Sequence, residues 1–336
     1  LLHFVRNDDG IYVTIFTMED IYDLVIIGAG PSALTAAIYA AREDIKTLLI
    51  EKGVVGGLMA TIDNIENYPG FPDGIEGLHL AEDFQKQAEK FGAQIEMFTT
   101  VEKIECHSGL DSESIKSDNK ILKQVQDDKK IFKITTDNGV FSARAVLIAS
   151  GNTYRKLGIP NEELVHYCAT CDGAMYRGKK LVVIGGANAA VQEAMFLTKF
   201  ADHIDLLVRS VVKASEILQK ELTKYVADGK IAVHEQTAPD EILVEGEKVI
   251  GVKSGDKVFD CDGVFVFAGV IPNTDFLDGS GVELDETGHI KTDHELMTNV
   301  RGIFASGDVR SGATKQVASA VGEGVTAAIS IREFLK

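Results

Sequence analysis

The chain has 336 residues, 45% apolar and 25% charged, with a net charge of -17 and four cysteines. That is enough chain for two ordinary domains with separate cores, in the composition of a soluble globular protein. The charge argues against a nucleic-acid partner, the cysteines are too few for a secreted disulfide scaffold, and no apolar run approaches the roughly 20 residues that span a bilayer.

Residues 1–17, LLHFVRNDDGIYVTIFT, begin with Leu1 and carry Asp8 and Asp9 inside a short, mixed apolar pattern. A secretory signal fits this poorly. The segment is expected to be an extension outside the fold, with Met18 the start of the patterned chain and a cytoplasmic location for the protein.

YDLVIIGAGPSALTAAIYAAR predicts strand, tight turn and helix. Leu24, Val25, Ile26 and Ile27 make the continuous apolar run of a strand buried on both faces. Gly28-Ala29-Gly30-Pro31-Ser32-Ala33 fits G-x-G-x-x-A, and Leu34, Ala37, Ile38 and Ala41 share one helical face. Gly28 makes the turn, Gly30 lets a pyrophosphate approach the backbone, and Ala33 lets helix and strand pack closely. The next strand, KTLLIE, ends at Glu51, the distance at which a carboxylate meets ribose hydroxyls.

Two strands, VEKIEC and KIFKITT, flank residues 107–130, a polar Ser/Asp/Lys-rich stretch expected to be a long hairpin loop. Cys106 and, much later, Cys261 lie in strand-like segments and are expected to be small buried hydrophobes. RAVLIASG (144–151) and DGVFVFAGVIPNT (262–274) are apolar strands ending in glycine, expected to carry the chain between domains.

YCATCDG holds Cys168 and Cys171 in a C-x-x-C, followed by Asp172. In such a motif one thiol attacks a substrate disulfide and the other resolves it, with a neighbouring carboxylate able to carry the proton. Asp172 is also placed as a turn residue before Gly173, and His166 reads as a loop histidine rather than a catalytic one. A metal site would have at most His166, Cys168 and Cys171; a structural disulfide is the remaining alternative.

KKLVVIGGANAAVQEAMFLTKF repeats strand, turn and helix, with IDLLVRS as the following strand. This second copy is degraded. Gly185-Gly186-Ala187-Asn188-Ala189-Ala190 has alanine where the second key glycine belongs, and a methyl group there crowds a pyrophosphate. GIFASGDV (302–309) is a short strand closing on Gly307-Asp308, where an acid can hold a polyol or serve a turn before a helix from about Gln316. The fold class expected is α/β: two Rossmann-like, three-layer nucleotide-binding domains, the second (151–262) inserted into the first (18–150 and 263–336).

YCATCDG, GAGPSA, ENYPGFPDGIEG (66–77), RKLGIPNEE and GIFASGDV…KQVASAVGEG occur together and in this order. With them the chain, from about residue 20 to 335 apart from 107–130, resembles the low-molecular-weight, bacterial-type thioredoxin reductases. The resemblance implies FAD in the first domain, thioredoxin or a thioredoxin-like protein as partner, and a homodimer. It puts FAD on Gly28, Gly30, Pro31, Ser32, Glu51, Gly57, Leu58, Asn67, Gly307, Asp308, Lys315, Gln316 and Val317. It implies that Cys171 exchanges electrons with the flavin, that Cys168 attacks the thioredoxin disulfide, and that Asp172 is the acid/base. Leu58 departs from the family's usual glutamine.

A larger departure concerns the electron donor. Family members that use NADPH carry G-x-G-x-x-A and then H-R-R, whose arginines clamp the 2′-phosphate. Here the candidate NAD(P)H residues are Gly185, Ala187, Asn188 and Ala190, with Arg209 and Lys213 after the strand. Losing one charged contact costs on the order of 1.5–3 kcal/mol, roughly ten- to a hundredfold in affinity, so NADPH preference is expected to be weak. Three readings stand: a reductase using NADPH or NADH, one fed by reduced ferredoxin, and a flavin-bearing sensor that does not turn over.

Overall fold

The computed structural model describes residues 4–6, 12–14, 21–62, 64–107 and 130–336. Most of the proposed extension (1–17) and nearly all of the insertion (107–130) lie outside the described residues; within the former, β1 (Phe4–Arg6) and β2 (Tyr12–Thr14) pair antiparallel. Among the described residues no helix is long and apolar enough to cross a membrane. The chain divides into two compact units, Leu1–Asn152 with Pro272–Lys336, and Thr153–Ile271.

The first unit is built on β3 (Ile21–Ile27), which pairs in parallel with β4 (Thr47–Ile50) and β8 (Gly139–Ile148). Side chains alternate across a strand, and here both faces are covered. Leu24 and Ile26 join Leu49, Ala145 and Leu147 in a core with α1 (Pro31–Ala41) and the final helix of the chain. Val25 and Ile27 join Leu48, Ile50, Val146 and Ile148 on the opposite face, with Phe132 and Ile134. These last two lie on β7 (Ile131–Thr136), the middle of an antiparallel run from β6 (Val101–His107) into β8. Burial of each such Leu or Ile is worth about 1.5–3 kcal/mol. The sheet is completed by β5 (Gln94–Glu96), which follows α2 (Gly77–Lys90) and pairs with β4, and by a late strand on the far side of β8.

The chain leaves this unit in β9 (Asn152–Tyr154) and enters a smaller copy of the same design. After a one-turn helix, α3 (Ala169–Asp172), the strands β10 (Lys180–Ile184), β11 (His203–Leu207), β12 (Ile231–His234) and β16 (Gly263–Val266) form a parallel sheet of order β12-β11-β10-β16. Helices α4 (Asn188–Leu197) and α5 (Glu216–Ala227) contribute Val191, Ala194 and Leu222 to the core on one face. The antiparallel strands β13 (Glu241–Glu245), β14 (Lys248–Ser254) and β15 (Lys257–Asp260) contribute Ile242, Val249 and Val252 to the core on the other. The sequence placed the end of this unit at 262. The chain returns instead in β17 (Val270–Pro272), because β16 is the partner of β10 in register from Leu181↔Gly263 to Ile184↔Val266. Cys261 is buried as expected, but Cys106 is exposed: it stands one residue from the end of β6, which is an edge strand of the sheet.

The first unit closes with β18 (Ile303–Ala305), parallel to β8, and α6 (Val317–Leu335). Helices α1 and α6 meet through small residues: Ala33, Ala36, Ala37, Ala327 and Ala328 are all buried. Gly324 lies so close to α1 that a Cβ there would collide with the Ser32 carbonyl oxygen and approach Thr35 Cβ at 3.0 Å. Gly324→Val is therefore expected to lower stability by about 2–3 kcal/mol, the overpacking penalty exceeding the gain in helix propensity. Urea denaturation followed by circular dichroism would measure it.

Candidate functional site

The first cradle forms where β3 gives way to α1. Gly28 has φ of 101°, and a Cβ on it would lie 2.5 Å from the Ala149 carbonyl oxygen. Only glycine fits this turn. Gly30 is the N-cap of α1, no atom lies within 4 Å of where its Cβ would be, and Pro31 occupies the first helical turn. The bare backbone and the helix start thus leave open space of the kind that accepts a phosphate group. Glu51 is drawn back onto this turn: Ala29 N–H donates to Oε2 at 2.8 Å and Gly53 N–H to Oε1 at 2.9 Å. Each carboxylate oxygen retains a lone pair for a hydroxyl donor.

Distant segments complete the cradle. A Cβ on Gly57 would come within 3.5 Å of Gly30 Cα, and one on Gly307 within 3.1 Å of Ser32 Cβ. The Ser32 hydroxyl meets that of Ser306 at 2.6 Å, both buried. Asn67 Nδ2 donates to Gln316 Oε1 at 3.2 Å, and Val317 packs against the small cluster of Met59, Ile65 and Leu80. Leu58 sits half-buried in the turn Gly57–Thr61 and makes no polar link to the others. Asp308 lies in the turn Gly307–Val309; it is not the cap of α6, which is Gln316. Its carboxyl has no hydrogen-bond partner among the described residues, and burial raises its pKa, with Lys315 opposing. The buried Asn152 Oδ1, on β9, also lacks a partner among the described residues. A partly buried carboxyl and a buried amide oxygen without donors are groups that a hydroxyl-rich ligand would satisfy. The residues present therefore fit a dinucleotide such as FAD.

Three supports of this cradle have no local signal in the sequence. Glu323 accepts from Gly307 N–H at 2.8 Å and from Arg310 Nε at 3.1 Å, and it pairs with Arg310 Nη2. His289 lies against Asn152 at 3.4 Å and is shifted down by burial and by Lys315. Asp285 gathers Thr287 N–H (2.8 Å), His289 N–H (3.1 Å) and the Ser311 hydroxyl (2.6 Å).

The second cradle reproduces the first and then departs from it. Gly28 N–H donates to Ile50 O at 2.8 Å, and Gly185 N–H donates to Leu207 O at 3.0 Å. A Cβ on Gly185 would lie 2.6 Å from Phe267 O and 2.7 Å from Ala190 Cβ. The residue after the strand, which is Glu51 in the first unit, is Val208 here, and a Cβ on Gly186 would meet its Cγ1 at 2.5 Å. An apolar side chain thus stands where a ribose-binding acid would stand. Asn188 Oδ1 is engaged by Ser215 N–H at 2.8 Å, and Lys213 N–H donates to Gly186 O at 2.7 Å, so the loop after β11 lies on the glycine turn. Arg209 and Lys213 are exposed on that loop, with Ala187 exposed at the start of α4. Glu235, which the sequence does not mark, accepts from Val212 N–H at 2.8 Å and so brings a carboxylate onto this loop.

The dithiol belongs to the second unit. Cys168 and Cys171 are joined as a disulfide, S–S 2.07 Å and Cα–Cα 5.3 Å. Cys168 caps α3: its sulfur accepts from Cys171 N–H at 3.2 Å, and its carbonyl from Asp172 N–H at 3.1 Å. Both cysteines are half-buried. His166 differs from its expected place as a loop histidine. It forms a parallel bridge with Phe265, and its Nδ1 lies 3.0 Å from Asp172 Oδ2.

Two nucleotide-binding units of one design, one of them carrying a redox-competent pair of vicinal sulfurs, define a disulfide oxidoreductase. The chain belongs to the pyridine nucleotide-disulphide oxidoreductase family, whose profile matches residues 22–324. Within that family it falls among the bacterial-type, low-molecular-weight thioredoxin reductases. It is 37% identical over 330 residues to the thioredoxin reductase of Listeria innocua, covering 95% of both chains. It is equally 37% identical to that of Bacillus subtilis, covering 95% of this chain and 96% of the relative. The crystal structure of thioredoxin reductase from Streptococcus pyogenes superposes with a TM-score of 0.81 at 34% identity, covering 94% of this chain and 98% of that one.

Asp285 offers a pH test of the cradle's frame. Hydrogen bonds, first that of Ser311, hold its carboxyl well below the usual carboxylate range. Its contribution is therefore present above the unfolded value near 4 and is lost as the pH falls through the depressed folded value. Asp285→Asn should cost about 1–3 kcal/mol at neutral pH, and the deficit should shrink progressively below about pH 4. Paired urea titrations at neutral and acid pH would follow it.

Proposed function

We propose that the protein is an FAD-dependent thioredoxin-disulfide reductase that takes electrons from NADPH or NADH and passes them through the Cys168/Cys171 dithiol to thioredoxin. The observation that carries this reading is the disulfide of Cys168 and Cys171 with Asp172 beside it, in a chain of this family. FAD would be held by Gly28, Gly30, Pro31, Ser32, Glu51, Gly57, Leu58, Asn67, Gly307, Asp308, Lys315, Gln316 and Val317. When bound, the flavin supplies the electron pair that opens the disulfide. The chain's own residues do the rest. Gly28 and Gly30 give the phosphates a bare backbone, and Glu51 and Asp308 offer acceptors to hydroxyls. The Cys171 amide stabilises negative charge on Cys168 sulfur, which favours the nucleophilic thiolate. Asp172 holds and returns the proton. A homodimer belongs to the same reading.

The donor site supports only a weakly discriminating nucleotide contact through Gly185, Ala187, Asn188, Ala190, Arg209 and Lys213. Val208 supplies no acceptor for ribose, and the Glu235 carboxylate, bonded to this loop at Val212, opposes a 2′-phosphate. The same observation favours a second reading, in which reduced ferredoxin is the donor and the second cradle is a relic. Anaerobic titration of the flavin absorbance with NADPH, NADH and reduced ferredoxin decides between them. The expected outcome is bleaching by both nucleotides with a preference below about tenfold; bleaching by ferredoxin alone would replace the first reading by the second.

Cys168→Ser is expected to abolish reduction of thioredoxin while leaving reduction of the flavin by its donor intact. An insulin-turbidity assay run beside the absorbance titration checks both. Full thioredoxin turnover in this variant would sink the relay.

A further inference from the structure

We infer that His166 is a positioning residue for the dithiol chemistry, holding the Asp172 carboxylate so that one oxygen stays free to exchange a proton with the sulfurs, and that Tyr176 fixes the imidazole tautomer that does so. The inference rests on the proposed role of Asp172 and adds a residue that the sequence left in a loop.

His166 is fixed in three ways. Its backbone is clamped to β16, donating to Val264 O at 2.8 Å and accepting from Val266 N–H at 2.8 Å. Its ring stacks on Phe265 with centroids 5.0 Å apart and planes at 29°. Its two nitrogens are both used: Nδ1 lies 3.0 Å from Asp172 Oδ2, and Nε2 lies 2.6 Å from the Tyr176 hydroxyl. Tyr176 is itself wedged edge-on against Phe265 at 5.6 Å, in space that a Cβ on Gly263 would fill.

The donors and acceptors have one consistent arrangement for a neutral ring. A carboxylate only accepts, so Nδ1 carries the hydrogen and donates to Asp172. Nε2 is then an acceptor, and the Tyr176 O–H donates to it. Burial, then the charges of Asp172, Cys261 and Asp262, push the phenol up to about 12, so it remains a donor across the working range. Tyr176 is therefore not a proton source; it sets the tautomer. The charged and titratable groups facing this chain are Asp172 on one side and Tyr176, Cys261 and Asp262 on the other.

With Oδ2 occupied by His166, Oδ1 is the oxygen that works. The Cys168 thiolate attacks a sulfur of the thioredoxin disulfide, forming one S–S bond and breaking another, and the departing thiolate takes the proton from Asp172. Cys171 then gives its proton to Asp172 and attacks the Cys168 sulfur. The Cys168–Cys171 bond closes and thioredoxin leaves as its dithiol, two electrons richer. The second departing thioredoxin thiolate takes from Asp172 the proton that Cys171 gave it, so Asp172 ends ionised and regains its proton from solvent.

The test uses the full chain, reduced with dithiothreitol, desalted anaerobically and mixed with oxidised thioredoxin in a single turnover from pH 5.5 to 9. Asp172→Asn sets the rate without the proton carrier. His166→Phe keeps the ring stack but removes both nitrogens, and it should slow transfer about tenfold or more and displace the pH profile. His166→Asn keeps a donor at the Nδ1 position and should recover to within about threefold of wild type, whereas His166→Gln, with its donor one bond further out, should not. Tyr176→Phe should fall between them. Thermal unfolding of each variant separates loss of fold from loss of function. A His166→Phe profile matching wild type would overturn the inference, as would His166→Asn being as slow as His166→Phe. If Asp172→Asn transfers at the wild-type rate, the acid/base reading of Asp172 fails instead, a pattern distinct from both.

Discussion

The constraint on which the rest depends is the approach of bare backbone to bare backbone where β3 turns into α1. Gly28 stands 2.5 Å, measured from its absent Cβ, from the Ala149 carbonyl, so β3 and β8 can run side by side to their ends. That proximity sets the start of α1 above the sheet. It also brings Gly57 beside Gly30 and Gly307 beside Ser32, from segments remote in sequence. The small residues between α1 and α6 serve the same end, because a closer helix pair carries Gly307 and Asp308 to the mouth of the turn. A cradle made this way spends few side chains on its ligand; it offers amides, space and two carboxylates.

The second unit keeps this geometry and changes the side chains around it. Its glycine turn makes the same hydrogen bond to the neighbouring strand and the same close approach to the strand on the other side. The residue that would read the ribose has become Val208, and the loop that would clamp a phosphate is tied down by its own amides to Gly186 and Asn188. The fold accommodates these changes because Val208 joins the core on the helix face, and the strand register does not run through the loop. What this unit carries instead is the dithiol, set on a single turn of helix and backed by His166, Tyr176 and Phe265.

Much of the site was legible in the chain because its chemistry is written in short motifs. GAGPSA, CATCD and GIFASGDV each fall within about one strand and turn, where local backbone geometry decides the outcome. The degraded GGANAA turn was legible for the same reason. Leu24 to Ile27 announced a strand buried on both faces, and that is how β3 lies. The boundary at 262 misplaced β16, because an apolar strand ending in glycine does not state which sheet it joins; pairing with β10 decides that. Cys106 was misjudged because strand character does not say where along the strand the core stops.

The sequence by itself determined the fold class, the duplication, the redox pair and the departures of the second glycine turn from the first. All of these follow from periodicity and from which side chains are small, apolar or nucleophilic. Only the tertiary structure decided that Glu323 supports Gly307, that Glu235 reaches Val212, and that Asn67 meets Gln316. It also turned His166 from a loop residue into the partner of Asp172, through a bridge to Phe265 far along the chain. The reason is directional. A hydrogen bond needs its atoms within a few tenths of an ångström and in line, and between segments distant in sequence that alignment is set by strand register and helix packing, which no local pattern records.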